Sequence, residues 1–440
     1  MSSSPVDAEV LIVGAGIGGL TLAAILSRLD ISCKVLERSD VLRPVGAGIS
    51  LSPNGLRMLD QLGVYEKVLN AGQKLRKVQI WRGKKLWNTV DWAGCEAKFG
   101  YPVMSLERHH FHRLLFDAAG GDDVVHFGTK VVDVIDDPSE SAVRVISDEG
   151  KAFRAHVVVG ADGIRSVIRR CLARDAGLKE ANTIKFTGRV HMSGITAPLE
   201  HLGAQDLGVA NWMLYENSTL TTWPCSDNRQ WFIGVTKSDE EVDNDRSIWS
   251  NCDEDTINSV YGDKFHPFAE KGEFSDIVEK NERILACNMF QEVEFPSMAR
   301  GRVCLIGDWR KSSVSFSMLE IEIETRMWLK MLIRDICKRR IEDAAVLASL
   351  IQENRGFLGQ KAEPILQKYS QMRAKRAKEV VKFSFRFILL HGAFLPYGIG
   401  PLLRWLIYAF LPGGAWLWFL EFLYGFQPTV PHLDSASPKT

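Results

Sequence analysis

Residues 9–13 form a short, uninterrupted apolar run that Gly14 stops, the pattern of a parallel strand buried on both faces. Residues 21–29 then repeat apolar positions at helical spacing, and residues 32–36 return to a strand. Helical patterns follow over 56–62 and 111–118, and a further buried strand over 154–160 ends in Gly160. From about 184 to 294 the texture changes to alternation, as in Gln230-Trp231-Phe232-Ile233-Gly234-Val235, with polar loops between. An antiparallel sheet with one wet face reads this way. Residues 303–306 restore the buried-strand pattern, capped by Gly307-Asp308, and 341–352 and the basic 365–382 read as helices. The pattern predicts an α/β fold: a Rossmann-type dinucleotide-binding domain over 1–183, an inserted antiparallel β-rich substrate domain over 184–294, a second part of the first domain over 295–382, and a helical apolar tail over 383–440.

The tail has two uncharged apolar stretches. One lies between Arg386 and Arg404 and is broken by His391, Gly392, Pro396, Gly398, Gly400 and Pro401; the other runs from Trp405 to Leu420 and is broken by Pro412-Gly413-Gly414. Each falls short of the roughly 18–20 clean residues of a spanning helix. Flanking Trp and Arg favour helices lying in a membrane interface, hence a membrane-associated protein; the alternative is packing against the protein's own surface.

Composition narrows the classes. Lys and Arg number 54, as do Asp and Glu, so bulk charge calls for neither nucleic acid nor an acidic partner. The eight cysteines are scattered without a CxxC pair, which suits a reduced intracellular compartment, and no basic or apolar leader precedes the first strand. The 12 Trp and 22 Phe suit a large core, or an apolar ligand.

Gly14-Ala15-Gly16-Ile17-Gly18-Gly19 follows a strand and opens a helix, the context in which GxGxxG binds a dinucleotide. Gly14 permits the turn, Gly16 admits the pyrophosphate, Gly19 lets helix and strand pack closely, and the helix N-terminus offers amides to the phosphates. Glu37 ends the next strand, where a carboxylate accepts hydrogen bonds from the adenosine ribose. Three further features bear on which dinucleotide is bound: Gly46-Ala47-Gly48 ahead of Ser52-Pro53-Asn54-Gly55, Gly160-Ala161-Asp162-Gly163-Ile164-Arg165-Ser166, and Gly307-Asp308 at a strand end. His109, His110 and His112 share one helix start, with poor spacing for a metal; no metal site is expected, and a half-exposed helix face is the reading.

This set, in this order, resembles the single-component FAD-dependent aromatic hydroxylases of the p-hydroxybenzoate and salicylate hydroxylase type over roughly residues 8 to 380. Arg108-x-x-Phe111 and Tyr369-x-x-x-Arg373-x-x-Arg376 resemble that family's flavin-contacting arginine and closing helix. The tail, with Val-Gly-Ala-Gly-Ile-Ser-Leu-Ser-Pro-Asn-Gly, looks most like the fungal branch that epoxidises prenyl chains in meroterpenoid and indole-diterpene pathways. The resemblance implies a Rossmann-type FAD-binding domain in which Glu37 holds the ribose, Arg108 lies along the phosphate arm, Asp162 and Gly163 serve FAD and the nicotinamide donor, and Asp308 binds the ribityl chain. It further implies NADPH as reductant, O2 as co-substrate, an apolar small-molecule substrate and an active-site role for Tyr215, for which packing in a strand is the plainer alternative. A salicylate-like hydroxylase is the second enzyme reading.

One segment departs from the family. No proline or glycine occurs from Trp309 to Arg340, where the family places a proline and a glycine-rich turn against the flavin, and Ile341-Glu342-Asp343-Ala344 then resumes the family helix. Glu320, Glu322 and Glu324 would set like charge there instead. Two readings follow: a mis-spliced or frame-shifted stretch in an otherwise ordinary gene, or a flavoprotein that has lost oxygenase activity.

Overall fold

The computed structural model describes residues 5–44, 46–178, 184–215, 218–237, 250–251, 253–292, 297–307, 336–391, 402, 405–406, 410, 415–431 and 433. The opening strand Ala8–Val13 lies inside an eight-stranded sheet, parallel to Cys33–Leu36 on one side and Ala152–Gly160 on the other, with Val10 opposite Cys33 and Val13 opposite Gly160. Val125–His126 and Val303–Leu305 extend the parallel set. Val10, Leu11, Ile12, Val157, Val158 and Val159 are wholly buried, which explains their unbroken apolar runs. Each such side chain contributes about 1.5–3 kcal/mol. The helix Ile17–Arg28 is packed against both Arg108–Ala119 and Ile336–Glu353.

A second eight-stranded sheet carries the predicted β-rich region. Its order runs Ser250–Asn251, Asn281–Glu292, Ile184–Thr196, Gln230–Lys237, Ser218–Pro224, Val209–Leu214, Lys77–Arg82, Lys85–Asp91. The last two strands come from the part of the chain ahead of residue 184, and Lys77–Arg82 joins Val209–Leu214 in parallel. The expectation of one wet face is corrected. Met213, Leu220 and Phe232 pack on Tyr261 and Phe274 on one face, while Trp212, Leu214, Trp223, Ile233 and Val235 form the other, equally buried face.

The helix Leu358–His391 closes the first sheet. Its backbone departs from helical geometry at Lys361, three residues before Pro364, as the proline ring requires. The wholly buried Tyr369 donates its hydroxyl to the Leu305 carbonyl at 3.1 Å, pinning this helix to the strand that leads to Gly307.

The end of the tail's second apolar stretch and the residues after it pack on the protein itself. Trp416, Leu417, Leu420, Leu423 and Tyr424 are buried in the same cluster as Trp212 and Trp223, and Tyr424 meets Trp92 and Phe99 edge to face. Phe410 and Trp418 remain 69% and 74% exposed. Among the described residues no helix is long and apolar enough to cross a membrane. Residues 308–335 lie outside the described residues, as does most of 392–414.

Candidate functional site

The glycine loop is built by the crossing of Ala8–Val13 and the helix behind it. Gly14 has φ +104°, and a Cβ there would stand 2.7 Å from the Ala161 carbonyl oxygen. A Cβ on Gly19 would stand 2.1 Å from the Gly14 oxygen, so this glycine serves the packing of helix on strand. Gly16 is different. A Cβ there would meet nothing nearer than the Ala161 oxygen at 3.8 Å, so the protein itself does not demand glycine. The demand fits a group approaching from outside, at the N-terminus of Ile17–Arg28, where helix amides and dipole favour phosphate. Glu37 reaches the same loop: its carboxylate accepts from the Ala15 amide at 2.8 Å and the Ser39 amide at 2.9 Å. A cradle open at Gly16, with a carboxylate at the next strand's end, fits the ADP half of a dinucleotide.

His112 was missed by sequence reasoning, which placed the three histidines on a half-exposed face. His109 and His110 are partly or fully exposed, but His112 is buried and its Nε2 lies 2.6 Å from the Ala15 carbonyl. A carbonyl only accepts, so Nε2 carries the proton and the ring braces the glycine loop. Burial, reinforced by the Arg108 charge, lowers its pKa to about 4. Because the folded value lies below the unfolded one, the stability is fully present above about pH 6.5 and is lost as the pH falls from there toward 4. The expected loss is about 3 kcal/mol. Urea midpoints at pH 7 and pH 4.5 should therefore differ more for the native chain than for His112→Gln, which keeps a donor but cannot be protonated.

The second wall is the strand Gly48–Leu51. Gly46, at φ +73°, presents its carbonyl to Arg283 Nη2 at 3.2 Å, and Glu107 pairs with Arg283 at 3.1 Å and Arg229 at 3.3 Å. This cluster holds the Gly46 turn against the second sheet. A Cβ on Gly48 would stand 2.1 Å from the Trp231 ring. Trp231 stacks on Trp223 with centroids 5.4 Å apart and planes 8° from parallel, and donates Nε1–H to Ser105 Oγ at 2.9 Å. Trp212 lies 6.0 Å from Trp223, so an aromatic row crosses the sheet above Gly48. Arg108 starts its helix beside this turn, its amide donating to the Ala47 carbonyl at 3.1 Å.

The Gly160–Ser166 turn has a structural component. Asp162 Oδ2 accepts from the amides of Val167 at 2.7 Å and Ile168 at 3.3 Å, capping the helix Val167–Asp175, and burial pushes its pKa up. Gly163, exposed at φ +78°, has nothing within 4 Å of a would-be Cβ. Gly307, at φ +90°, donates its amide to Asp343 Oδ2 at 3.0 Å. Asp308 itself lies outside the described residues.

Tyr215 is not brought to the aromatic row. Its ring packs with Tyr261 on the opposite face of the sheet, and its hydroxyl donates to the Phe265 carbonyl at 3.2 Å. On the packing reading, Tyr215→Phe is expected to cost about 1 kcal/mol of stability and leave kcat/KM within about twofold; a large fall in kcat/KM at unchanged fold would show the active-site role instead.

Comparison with known proteins agrees with a dinucleotide-binding domain of the FAD type. The profile of the FAD binding domain family, FAD_binding_3, matches residues 7–309. The chain is similar to the FAD-dependent monooxygenase pynG of Aspergillus niger, 45% identical over 98% of this chain and 99% of that protein. It is similar to the FAD-dependent monooxygenase pytG of Aspergillus terreus, 52% identical over 60% of this chain and 80% of that one. Among solved structures, a salicylate hydroxylase substrate complex shares the fold with a TM-score of 0.68 at 19% identity, covering 96% of this chain and 99% of that one. The chain thus belongs to the FAD-dependent monooxygenases built on this FAD-binding domain.

Proposed function

We propose that the enzyme uses NADPH and O2 to epoxidise a prenyl double bond of a meroterpenoid or indole-diterpene intermediate in fungal secondary metabolism. The observation that carries this reading is the apolar row of Trp212, Trp223 and Trp231 with Leu214, Ile233 and Val235 above the Gly46–Gly48 turn. Bound FAD, reduced by NADPH and met by O2, supplies the activated oxygen atom. Gly14, Gly16, Gly19 and Glu37 bind the ADP half; Gly46, Gly48, Arg108, Asp162, Gly163 and Asp308 are assigned to the rest of the cofactor and its approach.

The protein's remaining task is to orient an alkene and exclude water, and aromatic and aliphatic side chains do both. No acid–base pair is required of them. A salicylate-like substrate would want a cation for its carboxylate, yet Arg229 and Arg283 beside this face are both paired with Glu107. The exposed Leu402, Trp405, Phe410 and Trp418 support contact of the tail with a membrane surface, where such substrates partition.

The test is incubation of the full chain with NADPH, a prenylated aromatic and isotopically labelled O2. An epoxide carrying one labelled oxygen is expected. Labelled oxygen in the aromatic ring would favour the salicylate-like alternative, and no labelled product would favour a flavoprotein without oxygenase activity.

A further inference from the structure

Asn54, Glu342, Asp343 and Arg373 are each no more than 4% exposed, yet they carry full charges and amides into the seam between Ile336–Glu353 and the closing helix. Their bonds form one chain. Arg373 Nη2 donates to Glu342 Oε2 at 2.9 Å, and Arg373 Nε donates to Asp343 Oδ1. Glu342 Oε1 accepts from Asn54 Nδ2 at 2.8 Å, Ser52 Oγ donates to Asn54 Oδ1, and Asp343 Oδ2 accepts from the Gly307 amide at 3.0 Å. Arg376 Nε stands 3.9 Å from Glu342, so two arginines face two carboxylates.

Buried ion networks of this kind are a poor source of stability, because desolvation offsets the attraction. What they fix is geometry. Here the two ends of the network reach the two backbone segments assigned to the flavin: Asn54 follows the Gly48–Leu51 strand, and Gly307 precedes Asp308. The tail covers the network from outside. Phe426 lies 5.9 Å from the Arg373 guanidinium and 4.8 Å from that of Arg376, while Phe422 lies 4.6 Å from Arg376 and accepts its Nη2–H on the carbonyl at 3.1 Å.

We infer that Arg373, Glu342 and Asp343 are positioning residues for the flavin half of the cofactor, holding the Asn54 loop and the Gly307 turn at a fixed separation beneath a cover supplied by Phe422 and Phe426. The inference rests on the assignment of Asp308 to the ribityl chain. Its signature is a split in affinity. The ADP half is held at Gly14–Gly19 and Glu37, to which none of these bonds runs although Gly18 abuts Arg340, so FAD binding depends on the network's hydrogen bonds and ADP binding does not.

The test measures dissociation constants of FAD and of ADP for the full chain and for Asp343→Asn, Arg373→Lys, Phe426→Ala and Asp308→Ala. Asp343→Asn and Arg373→Lys are expected to weaken FAD by about tenfold or more with ADP unchanged. Phe426→Ala, which removes the cover and no charge, is expected to show the same split at a few-fold. Parallel weakening of FAD and ADP would reduce the network to a general structural role and overturn the inference; so would affinities that do not move. Should Asp308→Ala leave FAD affinity intact, the ribityl assignment itself fails, and the inference with it.

Discussion

Gly16→Ala is expected to yield a folded protein that no longer retains FAD. The added Cβ meets no protein atom closer than 3.8 Å, and the backbone at Gly16 is extended, at φ −71° and ψ 175°, so the fold should lose less than about 1 kcal/mol. The methyl group instead occupies the approach to the helix N-terminus, where a pyrophosphate needs contact with bare backbone. A rise of FAD dissociation constant by two orders of magnitude, about 3 kcal/mol, is the expected size. Gly19→Ala provides the contrast. Its Cβ would sit 2.1 Å from a backbone oxygen, so strand and helix must separate and stability falls by roughly 3 kcal/mol or more. Thermal midpoints and flavin absorbance of the two variants separate the roles. A Gly16→Ala protein that stays yellow would mean the loop does not carry the phosphates.

Gly48→Ala should strike turnover harder than cofactor retention, for which Gly48 is one of several assigned residues. Its Cβ falls within 2.1–2.3 Å of three atoms of the Trp231 indole, so the ring must move. Moving it breaks the stack on Trp223 and the bond to Ser105 Oγ, at a cost of roughly 2–4 kcal/mol. A domain with the usual margin of about 5–15 kcal/mol survives that loss. Orientation of the substrate does not, since a displacement of about 1 Å can cost a hundredfold in rate. NADPH oxidation should continue while epoxide falls at least tenfold and hydrogen peroxide takes its place. Product formation at the native rate would show that the tryptophan row does not touch substrate.

The parts of this site that were legible in the sequence are those formed by neighbours in the chain. A strand, a GxGxxG turn and a helix N-terminus lie within a dozen residues, and Glu37 follows at a strand's length, so local spacing carries the chemistry. His112 was not legible, because its partner is a carbonyl 97 residues away and its helix face could equally have met solvent. The Glu107–Arg229–Arg283 cluster and the Trp212–Trp223–Trp231 row likewise come from strands far apart in sequence, and only the sheet's register assembles them. Lys77–Asp91 could not be assigned to the second sheet for the same reason, since its parallel partner lies about 130 residues on. The tail shows a different limit. Apolar residues at helical spacing look alike whether they meet lipid or protein, and for Trp416, Leu417 and Leu420 the partner is the second sheet's own cluster. The family match ends at residue 309, where the glycine-rich turn is also missing.

That missing turn makes one measurement decisive. The full chain is purified, its visible spectrum recorded, and NADPH oxidation followed under air with a prenylated aromatic while epoxide is quantified. A yellow protein that forms epoxide in proportion to the NADPH consumed is the expected result, and it would show that residues 309–340 as they stand support oxygen transfer. A colourless protein, or a yellow one that consumes NADPH without product, would contradict monooxygenation by this chain and would make that segment the place where activity was lost.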